Sequence, residues 1–414
     1  MKPYDVLVCG GGMAGFAASA AAARNGADTL LVEQTEVLGG LGSSGGVGNF
    51  CAAKGGLKGQ GREFADVLDR LREYRAMGEE HGWPSRGNEN LNTENRLFDH
   101  QMLPIVLHEL TEEAGVDVLF ATTVTGAEMH GDIVRSAVLH NRSLRRETAA
   151  KVFVDASGDG LLAQYAGASV LPDDPNLPGT IKPSFMIFLR KVPDAQPQPL
   201  PAKTRYAEGG ENPDYSVWPE PNGRVGLKMK LFEMDFDTGG GDGYNDALIA
   251  MRTRIPEAVR HYQEHHDASY VFDFASPMLG IREGRRVEGD CVLSIDDIRN
   301  ERKFDDAVAY GTFTVDANKT REVLPPYHIP YRCLIAKGID NCLVAGRCLS
   351  ADRLAQSSAR VMPTGTMMGS AAGTAAALAV KENKPIRDLE PAAIRGALMR
   401  DTPDSELIAQ RLSA

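Results

Sequence analysis

Asp5-Val6-Leu7-Val8-Cys9-Gly10-Gly11-Gly12-Met13-Ala14-Gly15, with a glutamate at position 33, is the stretch on which the fold turns. Asp5 to Cys9 is a short apolar run that reads as a buried strand. The glycines then form a turn, and alanine-rich sequence from about Met13 to Asn25 reads as a helix closed by Gly26. Thr29 to Glu33 returns as a second strand, so the chain opens with a βαβ unit and a parallel sheet. Gly10 permits the tight turn, Gly12 leaves its backbone open to a diphosphate, and Gly15 allows close helix packing. Amide groups at the helix start favour negative charge. Glu33 lies 18 residues after Gly15, near the separation of about 20 at which an acid grips a nucleotide ribose. A carboxylate there disfavours a 2'-phosphate, which leaves FAD or NAD.

Working outward, the glycine-rich loop spans Gly39 to Gly61, and Phe64 to Arg75 follows as a helix with Phe64, Val67, Leu68 and Leu71 on one face. Leu97 to Ala114 reads as a helix and Val116 to Phe120 as a strand. Ile133 to Asn141 and Ala149 to Asp155 read as strands of a small antiparallel layer. Beyond Gly167 the texture changes. Proline-rich pieces (Pro172 to Pro178, Pro193 to Pro201, Pro219 to Pro221) separate Ser184 to Lys191 from Arg224 to Phe236, which partly alternates like a half-exposed strand. Gly239 to Gly243 reads as a polar loop without strand–helix context. Asn341 to Ala345 is a strand again, and a small-residue helix starts at about Thr364. The expected fold class is α/β: a Rossmann-type dinucleotide-binding domain (1–168 and 326–414, with the C-terminal helix) and an inserted α+β substrate domain (169–325) on a mixed or antiparallel sheet.

At 414 residues the chain is long enough for two lobes. Its 45 basic and 56 acidic residues give a formal net charge of -11, which argues against nucleic acid and anionic membranes as partners. The six cysteines are scattered without a CxxC pair, so neither a metal site nor a disulfide framework is expected, and reduced thiols suit a cytoplasmic location. No secretion signal or membrane span is read: Tyr4–Cys9 and Ala371–Val380 are both too short. A small-molecule substrate is the expected partner; homo-oligomerisation and the electron acceptor stay open.

Further motifs carry a resemblance. Glu33-x5-Gly39-Gly40 with Gly42 to Gly48 resembles the loop that wraps the flavin diphosphate in glutathione-reductase-like FAD proteins. Val152-Phe153-Val154-Asp155-Ala156-Ser157-Gly158-Asp159-Gly160 is similar to that class's strand–turn element. Ile329 to Arg332, Asn341 to Arg347, Leu279 to Arg286 and Ser358 to Thr364 resemble one subfamily of it, the FAD-dependent oxidoreductases. Fumarate reductases and heterodisulfide reductase flavin subunits are its more distant kin. The resemblance implies FAD as cofactor, held by Gly10, Gly12, Met13, Ala14, Gly15, Glu33 and Gln34. It adds Gly39, Gly40, Leu41, Ser43, Ser44 and Val47 in the wrapping loop, Val124, Ala156, Ser157 and Gly158, then Gly346 and Arg347, and finally Pro363, Thr364 and Gly365. Many relatives have Asp after the glycine where Arg347 stands, so a ribityl contact is not carried over.

For chemistry, the resemblance places Arg360 near the flavin, to bind a carboxylate or shuttle a proton; a structural ion pair is the competing role. His328 is the best-placed histidine for proton transfer, although a core role suits any single histidine. Tyr331 either bonds substrate or fills the core. Arg282, Arg285 and Arg286 either bind an anion or brace the lobes. His261, His265 and His266 fit no ligand pattern and read as a solvated face. Cys51 lacks the partner a dithiol relay needs and reads as a filler or pocket liner. The leading reading is hydride transfer between a small organic substrate and flavin N5, by a dehydrogenase or oxidase. A flavin hydroxylase (monooxygenase), an electron-transfer flavoprotein subunit and an NAD-binding sensor are the alternatives.

Overall fold

The computed structural model describes residues 3–53, 55–81, 93–142, 144–172, 181–201, 214–230, 241–317 and 320–413. Parts of the proline-rich run 172–178, of the strand expected at 224–236 and of the glycine cluster 239–243 lie outside them. The Val-Leu-rich segment Tyr4–Cys9 is the centre of a parallel sheet, flanked by Thr29–Val32 and by Leu144–Asp155. Asp117–Leu119 extends the sheet beyond Thr29–Val32, and Cys342–Val344 lies against the far side of Leu144–Asp155. Both faces are covered, which is why these strands are near-continuous apolar runs. Leu144–Asp155 serves two layers. Its first half pairs antiparallel with Ile133–Asn141, which pairs with Thr123–His130, while its second half joins the parallel sheet.

Two helices lie together on one face of the sheet, Met13–Arg24 and Met362–Glu382. Their contact is made of small residues. A Cβ on Gly369 would overlap the Ala14 carbonyl oxygen, and one on Gly373 the Ala18 carbonyl oxygen. The four-residue spacing puts Gly369 and Gly373 on one stripe, so the backbones approach more closely than side chains would permit.

A second sheet is antiparallel, in the order Tyr215–Pro219, Val225–Met229, Phe185–Lys191, Tyr270–Ala275. Phe185, Ile187 and Leu189 face the helices Gly241–Thr253 and Ile255–His265, with Leu227, Met229 and Val259 in the same core. Met186 and Phe188 face the other way, toward Gly46 of the glycine loop. The stretch 169–325 is thus divided between two cores: Phe185 to Ile281 supplies this one, whereas Leu293, Phe304, Tyr310 and Val315 pack with the helix Met362–Glu382.

Several expectations are corrected. Leu97 and Phe98 end the strand Thr93–Phe98, and the helix is Leu103–Glu113, begun by Pro104 in its first turn. Asn49–Ala53, expected as loop, is a strand paired with Thr93–Phe98; Phe50 stacks on Phe98 and meets Phe64 edge-on. That partner is remote in sequence, so local pattern gives no cue to it. Gly241 to Gly243 open a helix. His261 is buried, within 2.7 Å of the Tyr215 hydroxyl, while His265 and His266 are exposed as expected.

Candidate functional site

A cavity of about 380 Å³ opens at the carboxyl ends of the parallel strands. Each strand ends in residues that line it: Cys9 leads to Gly10 and Gly12, Val32 to Glu33, Gln34 and Thr35, Asp155 to Ala156, Ser157, Gly158 and Asp159, and Val344 to Gly346 and Arg347. Ligands of open α/β sheets bind at this edge, because loops there are free of the ladder.

The glycines do separate jobs. Gly10 has φ +96°, and a Cβ there would strike the backbone of Ala156 and Ser157. Gly15 has no room because the Gly10 carbonyl oxygen lies against it; it sets helix packing and does not line the cavity. Gly12 differs: a Cβ there meets no protein atom within 4 Å. It caps the helix Met13–Arg24, which has no side-chain cap and no acid in its first turn. The first amides of that helix therefore face the cavity uncompensated.

Glu33 is buried and holds the turn together. Its Oε2 accepts from the Gly11 amide at 2.6 Å, and its Oε1 from the Thr35 amide and hydroxyl at 2.7 and 2.8 Å. A carboxylate has about four acceptor sites, so about one is left for a ligand hydroxyl. Gly39 at φ +108° donates to the Gly11 carbonyl at 2.8 Å, which locks the wrapping loop to the first turn. Asp155 is fully buried, and burial pushes its carboxyl pKa up against the lowering effect of the Ser157 hydrogen bond. It accepts from the Ser157 hydroxyl at 2.6 Å and the Ala163 amide at 2.9 Å, so it shapes the loop. Arg347 pairs with Asp159 at 3.0 Å and donates to the Glu283 carbonyl at 3.2 Å.

Of the residues expected from sequence, Gly10, Gly12, Met13, Ala14, Glu33, Gln34, Gly39, Gly40, Leu41, Val124, Ala156, Ser157, Gly158, Gly346, Arg347, Arg360 and Gly365 line the cavity together. Ser43, Ser44, Val47, Pro363 and Thr364 do not. Ser43 donates to the Leu38 carbonyl at 2.6 Å and braces the loop from behind. Val47 packs with Phe188 and Trp218. Thr35, Thr122, Thr123, Tyr244, Met278 and Ile281 line the cavity unforeseen. Thr35 was within reach of sequence, two residues after Glu33, and Ile281 lies in the Leu279–Arg286 stretch; Tyr244 and Met278 come from segments where no motif marks them.

Two expected catalytic residues lie elsewhere. His328 is buried with both ring nitrogens engaged: Nδ1 accepts from the Phe304 amide at 3.1 Å, and Nε2 donates to the Arg411 carbonyl at 2.9 Å. That fixes a neutral ring, and burial holds its pKa below the ordinary value. The Tyr331 hydroxyl donates to the Ile386 carbonyl at 2.8 Å inside the core. Neither lines the cavity, so proton transfer by either is corrected to a structural role. Arg282 donates to the Lys182 carbonyl, Arg285 to the Asp159 carbonyl, and Arg286 to the Pro172 and Ala351 carbonyls, which is bracing between segments.

Residues 5–398 match the family model described as FAD dependent oxidoreductase. The chain belongs to that family. A digeranylgeranylglycerophospholipid reductase of Methanosarcina acetivorans is 31% identical to this oxidoreductase over 176 residues, 40% of either protein. Among solved structures, a geranylgeranyl bacteriochlorophyll reductase-like protein of Thermoplasma acidophilum superposes with a TM-score of 0.52 at 15% identity, covering 99% of this chain and 84% of the other. The p-nitrophenol 4-monooxygenase of Pseudomonas putida gives 0.49 at 12% identity, covering 96% and 84%. The first of these shares the fold.

The oxidoreductase's own residues fit FAD. The empty space over Gly12 beside uncapped amides suits a diphosphate, and the spare acceptor of Glu33 suits a ribose hydroxyl. Val361, Met362 and Gly365, which also line the cavity, begin the helix Met362–Glu382, again without a side-chain cap. Among the described residues no group of three or more His, Cys, Asp or Glu could hold a metal ion, and no helix is long and apolar enough to cross a membrane.

Proposed function

We propose that this FAD-dependent oxidoreductase transfers a hydride between a small organic substrate and the flavin, with the substrate seated between the cavity and the antiparallel sheet of 185–275. FAD, when bound, supplies the hydride donor or acceptor at N5. The observation that carries the reading is the cavity itself. Its lining joins bare backbone suited to a diphosphate with side chains from the second core, Tyr244 and Ile281, and with Met278 and Arg360. In this reading Gly10, Gly12, Glu33 and the Gly39–Gly40 turn hold the nucleotide, and Ala156 to Gly158 with Gly346 hold its middle. The uncapped start of Met362–Glu382 offers amides to negative charge at the flavin end. Arg360, whose side chain is 10% exposed, holds a fixed positive charge at that end through its pair with Asp316 at 2.8 Å. The substrate lobe begins at about 169 in this reading, and kinship with the glutathione-reductase-like and fumarate reductase proteins forms part of it.

The test is anaerobic bleaching of the purified yellow protein by a panel of metabolites, alongside NADPH oxidation with the same panel. Bleaching by an organic substrate, without NADPH consumption, is the expected result. NADPH-driven oxygen use with a substrate turns the reading toward a hydroxylase. A protein that takes up no FAD removes it.

A further inference from the structure

All six cysteines are free thiols; Cys51 and Cys291 are partly exposed and the other four are buried. Cys291 differs from the rest in having a second cysteine beside it. Residues 288–291 run antiparallel to 332–337. The Lys337 amide donates to the Glu288 carbonyl at 3.0 Å, the Asp290 amide to the Ile335 carbonyl at 3.2 Å, and the Cys291 amide to the Arg332 carbonyl at 3.2 Å, with Gly289 bridged to Ala336. Adjacent antiparallel chains hold opposed Cα atoms about 4.5–5.5 Å apart, inside the roughly 4.4–6.8 Å that a disulfide spans. Across this ribbon the Cys333 thiol donates to the Cys291 sulfur. Ser350 fixes the backbone there: its hydroxyl donates to the Cys291 carbonyl at 2.7 Å and accepts from the Gly289 amide at 2.9 Å.

The two thiols sit in unlike surroundings. Cys333 is fully buried, and burial first, then Cys291, pushes its thiol pKa well above the ordinary value. The Cys291 thiol is brought down to about 7, by the hydrogen bond from Cys333 and by the Arg332 guanidinium, against partial burial and the charges of Asp306 and Asp297. Arg302 adds a further cation facing it. Arg332 pairs with Asp306 at 2.9 Å on a side chain that is 54% exposed, so the way to Cys291 from solvent is bordered by a guanidinium. An accessible thiolate backed by a buried thiol is the pairing of an attacking and a resolving cysteine.

We propose that Cys291 and Cys333 form a dithiol site that reacts with hydroperoxides and closes to a reversible disulfide. The Cys291 thiolate attacks one peroxide oxygen; an S–O bond forms as the O–O bond breaks, and hydroxide leaves. The Cys333 sulfur then attacks Cys291, an S–S bond forms as the S–O bond breaks, and the oxygen departs as water with the Cys333 proton. With hydrogen peroxide, two thiols and one peroxide become one disulfide and two waters, the two electrons passing from sulfur to oxygen. Neither cysteine lines the flavin cavity, so the chemistry stands apart from the hydride-transfer reading.

The test treats the FAD-loaded protein with one equivalent of hydrogen peroxide, blocks remaining thiols with iodoacetamide and maps the peptides without reductant. The expected product is a link between the Cys291 and Cys333 peptides, two hydrogens lighter than the thiols and reopened by dithiothreitol. In untreated protein Cys291 should alkylate about tenfold or more faster than the buried Cys9, Cys342 and Cys348. Cys333→Ser removes the resolving thiol, and dimedone should then trap a sulfenic acid on Cys291. The wild-type map needs no variant and stands if Cys333→Ser fails to fold. Both thiols still alkylated after peroxide, Cys291 overoxidised without a link, or a link to any other cysteine overturns the proposal.

Discussion

Gly12 and Gly15 belong to one motif, yet they predict opposite failures. A side chain at Gly12 enters the cavity and touches no protein atom, so Gly12→Val should leave the thermal midpoint nearly unchanged while the purified protein loses its yellow colour. A side chain at Gly15 meets the Gly10 carbonyl, so Gly15→Val should unfold the turn and lower the midpoint. Visible absorbance with thermal denaturation separates the two, and a yellow Gly12→Val protein would contradict the diphosphate's placement. His328 makes a third case. His328→Phe strands the Phe304 amide and the Arg411 carbonyl, at about 1–3 kcal/mol for each unmet group, and should cost stability with substrate-driven bleaching intact. Because burial lowers this ring's pKa, the unfolded chain takes up the proton first as pH falls. The stabilising contribution is complete above about pH 6.5 and is lost below it as the pH passes through the folded value. Denaturation midpoints measured across that range should fall less steeply in the variant.

At the scale of elements, the pairing of Met13–Arg24 with Met362–Glu382 joins the two ends of the chain behind the cavity. Sequence shows alanine and glycine in both helices but not which faces meet. The overlap that a Cβ on Gly369 or Gly373 would make with Ala14 or Ala18 shows the contact is backbone against backbone. Gly373→Leu should therefore destabilise by about 1–3 kcal/mol or more through overpacking, and urea denaturation measures it. An unchanged midpoint would mean the helices separate freely. The strand Asn49–Ala53 shows the converse. Its glycine-flanked sequence reads as loop, and only pairing with Thr93–Phe98 and the stacking of Phe50 on Phe98 make it a strand.

For the molecule as a whole, the segment Leu279–Arg286 ties the two cores together. Glu283 accepts from Arg353 Nε at 2.6 Å and Nη2 at 3.0 Å and from the Ile181 amide at 2.6 Å, with both charged side chains largely buried. Removing the Glu283 side chain takes a buried bidentate carboxylate from Arg353 and the acceptor from the Ile181 amide, so Glu283→Ala should cost about 3–5 kcal/mol. It should also loosen FAD indirectly: the alanine keeps the backbone carbonyl that holds Arg347 at the cavity wall, but the freed segment lets that carbonyl shift. Dissociation constants for FAD and the thermal midpoint, measured on the same preparation, check this; loss of neither would remove Glu283 as the tie.

What the sequence determined alone was the βαβ opening and the turns that line the cavity beside it. There the signal is local: glycines that only a turn requires, an apolar run of strand length, and an acid one crossover later. Gly10, Gly12, Glu33 and Ala156 to Gly158 were legible for that reason. Only the tertiary structure decided which residues from 240–281 join the cavity. Tyr244 and Met278 line it from segments that carry no motif, and only the packing of the second sheet and its helices against the first brings them there. The same rule removed His328: its partners Phe304 and Arg411 lie 24 and 83 residues away, and such separations leave no mark in a local pattern.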